Sequence, residues 1–162
     1  MQDESFHSVD LARIVEYADR IIATAVDFLL QAGKPDKRGG YLAVLEIGRG
    51  NLEMLVRLCH SPQDKVDGRI EVATEKCKRL HSLPHLTSYE SRNPEIGRWG
   101  GAVRGSELIF SFSGLPELWD EAAMFVVAFC LGHLRMGDVL AQIDEERNPH
   151  LRPLLEAAHW TE

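Results

Sequence analysis

The chain has 162 residues, 44% hydrophobic and 27% charged, with a formal net charge of -7. That length suits one domain with a real core, and the composition is that of a globular chain and not a disordered one. The negative balance argues against a general electrostatic grip on nucleic acid or an anionic membrane, because both polyanions are repelled at long range.

Residues 1–8 carry Asp3 and Glu4 and show no basic region followed by an apolar run, so a secretory signal is not expected. No window holds the ~18 consecutive apolar residues of a spanning helix. A cytoplasmic protein is therefore expected. Cys59, Cys77 and Cys130 are odd in number and well separated in apolar surroundings, which suits reduced core thiols better than a disulfide framework.

In chain order, Leu11, Ile14, Val15, Ala18, Ile21, Ile22, Ala25 and Leu29 recur at spacings of three and four and predict a long amphipathic helix, with Ser8 to cap its start and Gly33 its end. After a polar connector, residues 41–47 form a nearly continuous apolar run that suits a buried strand, and Gly48, Gly50 and Asn51 supply turn chemistry. Leu52, Met54, Val56 and Leu58 then alternate with their neighbours as the second arm of a hairpin, stopped at Ser61-Pro62. His60, at that strand's end, reads as a surface residue.

A second helix is carried by Ile70, Ala73, Cys77 and Leu80 or His81, and ends at Pro84. Residues 82–97 hold two prolines and no clean period, and read as a long irregular connection. Residues 100–104 and 107–113 form a second hairpin around Gly105-Ser106, broken by Gly114. Pro116 fits the first turn of a third helix that runs through Phe125 to near Gly132, with Glu117, Asp120 and Glu121 at its positive end. Leu134, Val139, Leu140 and Ile143 suggest a further helical stretch, and residues 151–160 another.

Helix, hairpin, helix, hairpin, helix is an α+β order, and short hairpins dictate a mainly antiparallel sheet flanked by helices, since they cannot join parallel neighbours. The expected organisation is a single domain over 1–162 with a C-terminal helical extension from about 133 to 162.

Four stretches share their order with one known family. They are Val44-Leu45-Glu46-Ile47-Gly48-Arg49-Gly50-Asn51-Leu52, Ala73-Thr74-Glu75-Lys76-Cys77, Gly100-Gly101-Ala102-Val103, and Ser113-Gly114 followed by Asp120-Glu121-Ala122. Together they resemble the GlcG/HbpS-like family of haem-binding and glycolate-operon proteins. Glu46 stands where that family more often has aspartate, and its usual proline after the glycine pair is missing. The resemblance covers roughly residues 11–132 and implies a profilin-like α-β-α architecture, homo-oligomers, and haem as a candidate cofactor.

Several residues invite a functional reading. Arg98-Trp99-Gly100-Gly101 could bring charge, a flat face and close backbone approach to a ligand, or could simply serve a hairpin that needs glycine. Cys77 and His81, four apart on a helix, are weak metal candidates, since two ligands do not complete a structural zinc site; a core cysteine beside a half-exposed histidine explains them as well. His85 can join His81 only if the loop folds back. Ser113 before a helix could present a hydroxyl to an anion, but Phe112 and Leu115 flank Ser113-Gly114 where a nucleophile elbow needs glycine. Asp120 and Glu121 have sufficient explanation in the helix dipole, and as adjacent helical residues they converge poorly on one atom. Gly48-Arg49-Gly50 is followed by a strand where a dinucleotide fingerprint needs a helix.

The reading that results is a small-ligand or haem-binding accessory protein with a pocket between the second helix and residues 98–103. Its candidate ligand-binding residues are Lys76, His81, Arg98, Trp99, Gly100, Gly101 and Ser113. The alternative is a non-catalytic homo-oligomeric assembly module. Enzymatic activity has no catalytic constellation behind it.

Overall fold

A computed structural model describes residues 4–59, 66–142 and 146–159. Expectations resting on His60, Ser61, Pro62, Ile143 and Trp160 lie outside these residues. The elements in chain order are α1 (Glu4–Gln31), β1 (Gly39–Glu46), β2 (Leu52–Cys59), α2 (Val66–His81), β3 (Ala102–Arg104), β4 (Leu108–Ser113), α3 (Glu117–Cys130), α4 (Met136–Gln142) and α5 (Leu151–His159).

The four strands form one sheet in the order β2-β1-β4-β3, and every pairing is antiparallel. Strand alternation divides the core in two. Leu42, Val44, Phe110, Phe112, Val103 and Leu58 face α1, α3 and α5, whereas Tyr41, Ala43, Leu45, Ala102 and Ile109 face Ala73, Cys77 and Leu80 of α2. Both faces of β1 and β4 are covered, which is why β1 reads as an unbroken apolar run. The result is the expected α+β layering of helix, antiparallel sheet and helix.

Several boundaries differ from the sequence reading. α1 begins at Glu4, so Ser8 lies inside the helix; no glycine or proline separates the two. At its other end Gly33 takes φ +80 and Lys34 donates its N–H to the Leu29 carbonyl at 2.9 Å, closing the turn as expected. Pro116 is the N-cap of α3 and not a first-turn residue, and its carbonyl accepts the N–H groups of Trp119 and Asp120.

The second hairpin turns at Ser106-Glu107, one residue later than expected. Gly105 N–H donates to the Leu108 carbonyl at 2.7 Å and so belongs to the ladder. Glycine is needed there for another reason: a Cβ would lie 2.8 Å from the Cβ of His133. Gly114 does end β4, at φ +153, where a side chain would meet the Gly39 carbonyl oxygen at 2.2 Å.

The connection after α2 is built rather than irregular. It contains two short 3-10 turns, Ser88–Ser91 and Pro94–Ile96, and a bridge from Thr87 to Val103. Two arginines hold it. Arg104 donates to the carbonyls of Leu80, Leu83 and His85, and Arg79 donates to the Ser91 hydroxyl and to the carbonyls of Ser88 and Trp99.

Candidate functional site

Lys76 lies on the sheet side of α2, in step with Ala73 and Leu80, and is 1% exposed. Its ammonium donates to the Phe112 carbonyl at 2.7 Å and pairs with Asp120 Oδ2 of α3 at 3.3 Å. An ammonium carries three donors, and these two acceptors are the protein partners it has among the described residues. The other Asp120 oxygen accepts the Leu115 N–H at 3.0 Å.

The two helices lie on opposite faces of the sheet, so this contact needs a gap at the sheet's end. Gly101 provides it. At φ +118, a side chain there would place its Cβ 2.7 Å from Lys76 Nζ and 2.8 Å from Asp120 Cβ. Burial pushes the Asp120 carboxyl up to about 7, against the opposing pull of Lys76, the Leu115 N–H and Arg69.

Above this pair lies a cleft of about 400 Å³ lined by Lys37, Arg69, Val72, Lys76, Trp99, Ser113, Gly114, Leu115, Glu117 and Asp120. Arg69 donates to the Gly39 carbonyl at 3.2 Å, which places its guanidinium at the start of β1. Glu117 closes the α3 side. Its oxygens take a fork of bonds from Arg92 at 2.6 and 2.7 Å, and Oε1 also accepts the Gly100 N–H at 2.7 Å. Burial raises the Glu117 carboxyl, but the Arg92 and Gly100 bonds outweigh that and hold it below its ordinary value.

The structure thus brings Lys76, Trp99 and Ser113 together around one cleft, with Gly101 in its floor and Gly100 anchoring its wall. It does not bring Arg98 or His81 to them. Arg98 faces a larger, more open groove of about 790 Å³ on the outer side of α2, 3.9 Å from Glu75. His81 Nε2 bonds the Ile47 carbonyl at 2.9 Å, and its ring covers Gly50, where a side chain would approach within 3.0 Å.

Cys77 and His81 do not share a ligand direction. The Cys77 thiol points into the sheet toward the Ala43 and Ile109 carbonyls, and burial pushes it up to about 12. No group of three or more metal-ligating side chains occurs among the described residues. His85 pairs with Glu90 at 2.8 Å instead of with His81.

The acidic pair of α3 does more than face the helix dipole. Asp120 and Glu121 are both buried and, as adjacent helical residues must, diverge: Asp120 goes to Lys76, and Glu121 to Arg147 and Asn148. Lys37, Arg69, Leu115 and Glu117 were not among the expected cleft residues. Nothing local marks Lys37 or Arg69 in the sequence, because the turn before β1 and the first turns of α2 meet only through the fold.

No family model matches the chain, and no curated protein matches it. One solved structure is similar, that of the Klebsiella pneumoniae protein ORFY, described as DUF336. The two share 16% identity with a TM-score of 0.41, over 73% of this chain and 90% of that one. No helix among the described residues is long and apolar enough to cross a membrane.

Proposed function

We propose that this chain is a small-ligand-binding accessory protein, cytoplasmic and akin to the GlcG/HbpS-like proteins its motifs resemble, and that its ligand is a small organic anion held in the cleft beneath Trp99. The observation that carries this reading is the buried Lys76, which keeps a donor without a protein partner among the described residues at the floor of a concave site. Arg69 and Lys37 add positive charge around it. Trp99, 37% exposed, offers a flat apolar face, and the combination of an apolar wall with a few convergent polar groups is what small-molecule sites share.

Haem fits this cleft poorly. Among the described residues its lining contains none of the histidine, cysteine, methionine or tyrosine side chains that serve as axial ligands, and His81 is engaged elsewhere. The ligand class that the lining supports is a small carboxylate or phosphate. Among the described residues the cleft offers no assembled nucleophile and base, and binding is the role proposed.

A thermal-shift screen against small mono- and dicarboxylates, phosphate compounds and haem tests this. A ligand at a hundredfold excess over its dissociation constant adds about 2.7 kcal/mol, or roughly 5 to 10 °C for a domain of this size. The expected result is such a shift with an organic anion, lost in Arg69→Ala. A shift with haem alone, or none with any anion, would refute the reading.

A further inference from the structure

Asp120 is held by few donors for a buried charge. A carboxylate has about four acceptor sites. Among the described residues Asp120 receives the Lys76 ammonium on Oδ2 at 3.3 Å and the Leu115 N–H on Oδ1 at 3.0 Å. The charged groups around it are Lys76 and Arg69 from α2, Lys37 from the turn before β1, and Glu117 from its own helix. Phe112 and Ser113 of β4 and Gly101 of the preceding segment add no charge. Glu117 keeps its own charge under the Arg92 fork and the Gly100 N–H.

Lys76 has already given two of its three hydrogens, one to the Phe112 carbonyl and one to Asp120. An anion that takes the third sets a second negative charge on the ammonium that Asp120 depends on. Two carboxylates on one buried cation repel strongly enough that one of them takes a proton. The two competitors are not equally placed. An anion in the cleft also meets the positive charges of Arg69 and Lys37, whereas Asp120 is 3% exposed and packed against Lys76 and Gly101.

We infer that the cleft binds its anion together with a proton, and that Asp120 is the group that takes the proton up. Granted the anion-binding reading of the cleft, on which this rests, pH becomes the regulator of affinity. Burial pushes the Asp120 carboxyl up to about 7 with Lys76 opposing, and an anion on Lys76 pushes it higher. Below about 7 the proton is present with or without the anion, so affinity is flat with pH. Above that value binding draws a proton from solvent, and the dissociation constant rises about tenfold per pH unit until the bound-state value is passed.

Calorimetric titration with acetate and with benzoate tests this, because simple carboxylates ionise near pH ~4 and bring no proton of their own at neutral pH. At pH ~8 in Tris and in N-ethylmorpholine, cationic buffers of different ionisation enthalpy, the heats should differ by the uptake of about one proton per anion bound. Asp120→Asn should take up none. Its affinity should be flat with pH and, at pH ~8, about tenfold tighter than that of the native chain, a gain that a merely structural loss would not produce. With carbon-13 in the benzoate carboxyl, the bound signal should remain that of the ionised form. If Asp120→Asn fails to fold, carbon-13 in the aspartate carboxyls of the native chain decides, since one of them must pass to its protonated form as benzoate is added. Binding without proton uptake by the native chain would overturn the inference and leave the anion site standing. Uptake that survives in Asp120→Asn, or a bound benzoate signal of the protonated acid, would also overturn it. Failure of both probes to bind at any pH would remove the anion site and the inference together.

Discussion

Lys76 and Asp120 show how one buried pair can be half visible in a sequence. Lys76 falls at the spacing of the apolar stripe, with Ala73 three residues before it and Leu80 four after, and a lysine in such a stripe must find an acceptor. Its partner could not be read, because Asp120 is already explained by its place in a helix's first turn and the gap at Gly101 exists only once β3 and β4 pair. The pair also sets a pH dependence. The Asp120 carboxyl is raised from 3.8 to about 7, so between those values the folded state holds a proton that the unfolded state has released. Its contribution to stability is present below the lower value and is lost as pH rises toward the upper one. Urea titrations across that window should show the native chain losing stability relative to Asp120→Asn as pH rises. A difference that is flat, or that grows in favour of the native chain, would show that Lys76 outweighs burial.

At the level of elements, α1, β1, β2 and α2 were legible because periodicity and turn residues agreed, whereas the second hairpin slipped by one residue because Gly105 serves close packing against His133 and not the turn. The connection from α2 to β3 looked irregular because its order comes from Arg79 and Arg104, long-range donors that no local pattern announces. α3 illustrates tertiary context most clearly. Every residue from Trp119 to Ala128 is buried, so this helix is enclosed between the sheet and its neighbours. α5 supplies part of that cover, burying Leu151 and Leu154 in the same core as α1 and α3. Leu154→Ala should therefore cost about 2 to 5 kcal/mol in chemical denaturation, as for other deleted core leucines. A cost below ~1 kcal/mol would mean that α5 is dispensable to the core.

For the molecule as a whole, composition and hairpin order were enough to anticipate a layered α+β domain, since short connections leave antiparallel pairing as the outcome. The cleft was only partly anticipated. Trp99, Gly100 and Gly101 stood out by residue type, but adjacent residues of an extended segment point opposite ways, which sends Arg98 to the outer groove and Trp99 to the cleft. Charge at long range adds little selectivity on a chain of net -7, so the proposed anion is selected by local groups, Arg69, Lys37 and Lys76. The most direct test of that account is an amide chemical-shift map of the protein titrated with the strongest organic-anion ligand from the screen. Perturbations centred on Trp99, Gly101 and residues 113–117, including the Trp99 indole N–H, are the predicted result; a map centred on Glu75, Arg79 and Arg98 of the outer groove would contradict it.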